Sequence, residues 1–425
     1  RFGPDELAAL RGLGAPGGGS LFPEGFLDWL SNLSLSLDVD AIPEGTVVFP
    51  NEPLLRVSGP LVEAQILESL LLNIVNFQTL VATKSARIRI AAKGDPVLEF
   101  GLRRAQGVDG ALAASRAAYV GGAAATSNVL AGTRYGIPVR GTHAHSWVMS
   151  WDTEREAFEA FADAHPKNAI FLVDTYDTLD GVRNAVAVGQ EMRSKGHELA
   201  GLRLDSGDLA ALSIEARRIL DEGGFPNASI SASNDLDEHV IKSLKEQGAR
   251  IDTWGVGTKL VTAYDEPALG GVYKLAALKR KGGAWVDKVK LSEQAAKTST
   301  PGRHQVRRFR SENGTFAGDA IFDLGRAPAA GARVVVVDPL DGTRRTAFAA
   351  GTPAEDLLVP AVRQGKVVYQ TPTLRESRDR ALAQVKALPE GTKRFLNPHL
   401  YPVGLEESLY ERRTRLILAA RGFGG

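Results

Sequence analysis

LAGLRLDSGDLAALSIEARRILDEGG, residues 199–224, reads as one strand, one tight turn and one amphipathic helix. Leu199 to Leu204 is short and mostly apolar, and Asp205-Ser206-Gly207 interrupts it. From Leu209 onward apolar residues recur at helical spacing until Gly223-Gly224 ends the run. A strand followed at once by such a helix is a βα unit, and units of this kind in series build a parallel sheet or a barrel.

The pattern extends in both directions. IPVRGT (137–142), NAIFLVDT (168–175), ASISASN (228–234) and RIDTWGVG (250–257) read as further strands. TEREAFEAFADAH (153–165), DGVRNAVAVGQEMRSKG (180–196) and DLDEHVIKSLKEQG (235–248) read as the helices between them. The strand ends recur at roughly the length of a βα unit, about thirty residues. Farther out, RGLGAPGGGS (11–20) is too rich in glycine for a helix. Residues 61–90, apolar on most faces, predict largely buried helices forming a scaffold at an interface. After residue 270 the character turns to β, with Asn313-Gly314 predicted to supply the left-handed positions of a hairpin turn. The tail from about 351 reads as helix, loop, helix, returning to pack on the N-terminal part.

Totals narrow the function classes. The 425 residues are enough for two or three domains, and 51 basic against 50 acidic side chains leave no overall field to recruit nucleic acid or an anionic membrane. Any anion site must therefore be local. The absence of cysteine removes disulfides, thiolate metal sites and a cysteine nucleophile, and suits a reducing cytoplasm. No uninterrupted apolar run approaches about eighteen residues, so no membrane span is expected. The chain opens on Arg1 inside the helical-looking RFGPDELAALR, which predicts that a native N-terminal piece is absent.

In βα architectures the functional groups gather at the carboxyl ends of the strands. Those ends carry Thr142, His143 and His145; Asp174 and Thr175; Arg203, Asp205, Ser206 and Asp208; Ser233, Asn234 and Asp235; and Gly255, Gly257, Thr258 and Lys259. Some of these serve turns alone, and Asp174 and Asp208 both read as helix N-caps. LRLDSGDL brackets a Ser-Gly turn with a cation and two carboxylates, a set suited to a metal-bound polyanion or sugar hydroxyls. GVGTKL places small residues where backbone amides can cradle a phosphate. In GLRRAQGVDG, Arg103 and Arg104 stand without acidic neighbours and invite an anion.

GTHAHSW, residues 141–147, places His143 and His145 two apart in a chain with seven histidines. A metal pair would need further ligands, and none of the other five histidines falls at a strand end, so the identity of any metal ligand is left unassigned. The remaining readings are a single working histidine with a neighbour in a different role, or a buried structural pair.

Taken together, GTHAHSW, LRLDSGDL, SNDLDE (233–238), GVGTKLVT, LGGVYKL and KLSEQAAKTSTPG (290–302) resemble the nicotinate phosphoribosyltransferase family, in that order. FPNEPLLRVSGPL, LVATKSARI, GLRRAQGVDG and SNVLAG extend the resemblance over nearly the whole chain. It implies an α/β fold: an irregular α/β barrel over 111–289, active at its strand C-termini, joined to a discontinuous α/β domain built from both chain ends, 1–110 and 290–425. It implies transfer of ribose 5-phosphate from phosphoribosyl pyrophosphate to nicotinate, giving nicotinate mononucleotide and pyrophosphate, with magnesium and ATP hydrolysis, in a cytoplasmic homodimer. By resemblance His145 is the histidine phosphorylated during ATP coupling, while His143 takes over no family role. Arg203, Asp205 and Asp208 are expected near ribose and metal-bound pyrophosphate. Gly255, Gly257 and Thr258, with Ser233 and Asn234, are expected to receive the 5′-phosphate. Arg103 or Arg104 would face the base, with Thr126, Ser127 and Asn128 beside it. Ser127 can donate to a carboxylate where the related nicotinamide enzyme carries an aspartate, which favours nicotinic acid. The family's upstream tyrosine, which stacks on the base across the dimer interface, has no counterpart in this sequence. Two alternatives remain: a quinolinate phosphoribosyltransferase, which would want a denser basic cluster, and a non-catalytic phosphate or nucleotide sensor.

Overall fold

The computed structural model describes residues 2–293 and 298–423, so residues 294–297 of the KLSEQAAKTSTPG motif lie outside the described residues. Six parallel strands carry the predicted βα series: β1 (Val97–Glu99), β2 (Ala125–Thr126), β3 (Ile170–Leu172), β4 (Gly201–Leu204), β5 (Ser229–Ala232) and β6 (Thr253–Val256). Their order is β2-β1-β6-β5-β4-β3, every neighbouring pair parallel. The stretch 137–142, expected as a full strand, contributes one parallel bridge from Val139 to Thr126 beyond β2. The sheet thus curls but leaves a seam between residues 140–143 and β3, which is an irregular barrel. It takes in residues 97–99, on the N-terminal side of the boundary expected at 110, because VLE pairs with β6 although its run is too short to signal a βα unit by itself.

Alternation explains how these strands serve both core and site. In β4, Leu202 and Leu204 are wholly buried in the main apolar cluster, and Arg203 between them points the other way, to the barrel mouth. Phe171, Ile230, Trp254 and Val256 bury the same layer in neighbouring strands, each such side chain contributing about 1.5–3 kcal/mol. The covering helices Glu154–Ala164, Thr178–Ser194, Leu209–Glu222 and Glu238–Glu246 begin at side-chain caps from Thr153, Asp177, Asp208 and Asp237 respectively.

Both chain ends build the remainder. Asp38–Ala41 pairs with Leu55–Ser58 on one side and with Val359–Arg363 from the tail on the other, so the tail does return to the N-terminal part, through a strand rather than a helix. A second sheet holds the hairpin His304–Arg310 and Phe316–Asp323, with Val403–Glu406 parallel to the latter. Of the two expected turn residues, Gly314 is left-handed (φ 82°) and Asn313 is not. Asn313 instead uses its side-chain carbonyl to accept from the Thr315 amide at 3.0 Å, so the predicted two-residue turn is a longer, side-chain-braced loop.

The buried-scaffold reading of 61–90 needs correction. Helices Leu61–Ile66 and Glu68–Ala92 form there, yet Leu61, Val62, Leu70 and Ile74 are exposed, and only the C-terminal half packs into the core. By length and composition Leu61–Ala92 is apolar enough to cross a membrane, although Glu63, Glu68, Lys84, Arg87 and Arg89 interrupt its apolar run. Its core half is tied down instead by Lys84, buried and 2.6 Å from Glu238, which fixes this helix to the barrel helix Glu238–Glu246.

Candidate active site

Arg203 is the hub of the barrel mouth. Its guanidinium donates to Ser233 Oγ at 2.8 Å, to Thr142 Oγ1 at 3.0 Å and to Asp205 Oδ1 at 3.1 Å, and it stands over the Phe100 ring, 5.6 Å from the centroid. One side chain therefore joins the ends of β1, β4 and β5 and the 141–147 loop. Ser233 also donates to Asp205. With Asp205 against the guanidinium, the group is charge-neutral as it stands and offers both signs to a ligand.

Asp174 is the second hub, and its role is not the helix cap expected from sequence: Asp177 caps that helix. The Asp174 carboxylate, 1% exposed, faces His145 Nε2 at 3.1 Å through Oδ1, while Oδ2 accepts from the Asp205 amide at 2.8 Å and the Ser206 hydroxyl at 2.7 Å. His145 opens the short helix His145–Val148 and is 38% exposed. With Nε2 held by the carboxylate, Nδ1 is the nitrogen left for chemistry. The pairing of a histidine with a buried carboxylate 29 residues on carried no local signal in the sequence.

His143 goes elsewhere. It is buried among Phe158, Phe161 and Phe171, and burial pushes its pKa down to about 4. The closing Trp147 packs on Phe161 and donates from its ring nitrogen to Ala157 O at 3.1 Å. Among the described residues no three His, Asp or Glu groups are placed to hold a metal between them.

The other predicted residues divide. Asp208 caps Leu209–Glu222 through the Ala210 and Ala211 amides, and it lines a cavity of about 460 Å³ with Gly207, Asn234 and Asp235 at the strand C-termini. Asn234 holds φ 116°, an unusual conformation for a side-chain-bearing residue, at the rim of that cavity. Gly255 leaves room for Phe100: a Cβ there would lie 2.7 Å from the ring. At Gly257 a Cβ would lie 3.1 Å from the Phe100 carbonyl oxygen. Thr258 starts the next short helix, and Lys259 is paired to Asp237 at 2.6 Å. Thr126 turns inward, donating to the fully buried Glu99 at 2.6 Å; Glu99 also accepts from Ser115 and the Gly101 amide. Asn128 caps Val129–Tyr135, leaving half-buried Ser127 as the member of that trio with an uncommitted side chain. Arg103 and Arg104 form an exposed turn just after Phe100. A larger cavity, about 580 Å³, opens at the opposite end of the strands. Its Arg217 is consumed by Asp221 and the Phe225 and Ala228 carbonyls, a structural arrangement.

With this geometry established, similarity decides the family. The chain is 46% identical to the nicotinate phosphoribosyltransferase of Bacillus subtilis over 89% of its own length and 76% of the relative's. This chain belongs to the nicotinate phosphoribosyltransferase family. It is therefore an enzyme. It is also 40% identical to a nicotinate phosphoribosyltransferase of Mycobacterium tuberculosis, over 98% of this chain and 82% of the other. The crystal structure of human nicotinic acid phosphoribosyltransferase superposes with a TM-score of 0.78 at 28% identity, covering 93% of this chain and 85% of that one. The nicotinate phosphoribosyltransferase N-terminal domain model matches residues 1–76 and the C-terminal domain model residues 303–413. The N-terminal match from residue 1 does not support the expectation that the family's front is missing.

Proposed function

We propose that the barrel mouth transfers ribose 5-phosphate from phosphoribosyl pyrophosphate to the ring nitrogen of nicotinate, coupled to ATP hydrolysis through His145. The observation that carries this reading is the Arg203 hub beside the His145–Asp174 pair, on a chain of this family. Breaking the anomeric carbon–pyrophosphate bond builds positive charge on the ribose and negative charge on the leaving group, so the site must offer both signs at fixed positions. Arg203 and Asp205 offer them from one strand end. Ser233 and Asn234, with the small Gly255–Thr258 turn, suit the 5′-phosphate. Phe100 presents an aromatic face to a pyridine ring, and Arg103, Arg104 and Ser127 lie in the segments beside it to meet the carboxylate.

Magnesium, when bound, would neutralise pyrophosphate. With no three-ligand protein cluster among the described residues, it fits as an ion held chiefly by substrate oxygens, with Asp205 and Asp208 as carboxylates at the rim. The exposed apolar face of Leu61, Val62, Leu70 and Ile74 suits burial in a homodimer. A cysteine-free chain suits the cytoplasm.

The test is mononucleotide formation from nicotinate with and without ATP. Stimulation by ATP in the native enzyme that disappears in His145→Ala supports the coupling. Equal stimulation in both rejects it.

A further inference from the structure

The two histidines of GTHAHSW meet β3 and the residue just beyond it at a matching spacing. His143 Nε2 lies 3.2 Å from the backbone amide of Leu172, and His145 Nε2 lies 3.1 Å from the Asp174 carboxylate. The histidines stand two positions apart in the chain, and so do their partners. β3 is the edge strand at the barrel's seam: its pairing to β4 uses the Val173 amide, which donates to Arg203 O, and leaves the Leu172 amide facing the gap. A buried amide without a partner is costly, and the imidazole of His143 supplies one in place of a neighbouring strand.

We propose that His143 is a positioning residue: it fastens the 141–147 loop to the open edge of the sheet and so sets His145 against Asp174 and Thr142 against Arg203. To accept from an amide, Nε2 must carry the lone pair, which puts the ring proton on Nδ1, and Nδ1 has the Ala144 carbonyl at 3.5 Å. The ring is thus a neutral acceptor. Its aromatic surroundings and lowered pKa agree with that form across the physiological range. The loop is held by Thr142–Arg203, His143–Leu172 and His145–Asp174, and at its far end by Trp147 on Ala157 O; of these, His143 is the anchor that joins it to the open edge of β3 while taking no part in the chemistry. The inference rests on the reading of His145 given above.

His143→Phe keeps a ring among the phenylalanines and removes the acceptor, whereas His143→Gln keeps an acceptor. The readouts are transfer of labelled phosphate from ATP to His145, mononucleotide formation without ATP, and hydrogen exchange at the Leu172 amide. Expected for His143→Phe is a fall in His145 labelling of about tenfold or more, a smaller fall in the ATP-independent rate, and faster Leu172 exchange. His143→Gln should recover most of the labelling and the protection. Unchanged labelling in His143→Phe overturns the proposal. So does an equal loss of both activities, or failure of His143→Gln to recover either. If the native enzyme takes no label at all, the reading of His145 fails by itself. The positioning role is then judged on Leu172, and protection retained in His143→Phe overturns it.

Discussion

The Nε2 of His145 lies 3.1 Å from Oδ1 of Asp174, and the other oxygen of that carboxylate accepts from the Asp205 amide and the Ser206 hydroxyl. One buried acid therefore orients the imidazole and shapes the LRLDSGDL turn. Asp174→Asn keeps the size but replaces an acceptor with a donor on one side. ATP-stimulated mononucleotide formation should drop about 10–100-fold, with a smaller effect on the ATP-independent rate. Steady-state kinetics with and without ATP check this, and equal losses in both would count against the orienting role.

Arg203→Lys tests the hub. A lysine keeps the charge but cannot serve Ser233, Thr142 and Asp205 together in the planar fork that the guanidinium provides. A loss of about 10²–10³-fold in kcat/KM for phosphoribosyl pyrophosphate is expected, the scale for removing a positioned donor. Thermal melts should show a native fold, because the Arg203 side chain stands outside the apolar layer.

Gly255→Ala places a methyl 2.7 Å from the Phe100 ring. The ring must move, and the predicted consequence is a KM for nicotinate raised about tenfold, on the order of 1.4 kcal/mol, with KM for phosphoribosyl pyrophosphate little changed. An unchanged KM for nicotinate would remove Phe100 from the base site.

The sequence disclosed the βα series because strand, turn and helix each leave a local pattern, and the LRLDSGDL segment carried its own site residues. What it hid is non-local. Asp174 looked like a cap, and only the fold shows that Asp177 does that work while Asp174 meets a histidine from another loop. Phe100 carried no polar signal, and Thr126 looked available although its hydroxyl is spent on Glu99. Helix Glu68–Ala92 read as buried because apolar composition does not say how much of a helix the fold covers.

Where the two chain ends meet, Arg308, Asp319 and Glu52 are buried together, Arg308 donating to Asp319 at 2.6 Å. Burial, and then Asp319 beside it, pushes Glu52 up to about 10. Raised above its unfolded value near 4.5, Glu52 contributes stability that is full in mild acid and is lost as pH rises toward its folded value. Glu52→Gln, which stays neutral, should therefore lose the native chain's decline in melting temperature between about pH 5 and pH 9. Asp319→Ala removes the nearest acid from buried Arg308 and leaves it only Glu52, 3.9 Å away; it should destabilise the chain by up to about 3–5 kcal/mol. Melting curves across that range check both.

The most direct test of the central claim is a product assay with phosphoribosyl pyrophosphate and magnesium, offering nicotinate, nicotinamide and quinolinate separately. Mononucleotide should form from nicotinate, with nicotinamide and quinolinate left unconverted or nearly so. Preferred conversion of quinolinate or nicotinamide, or binding of phosphoribosyl pyrophosphate with no product from any base, would contradict it.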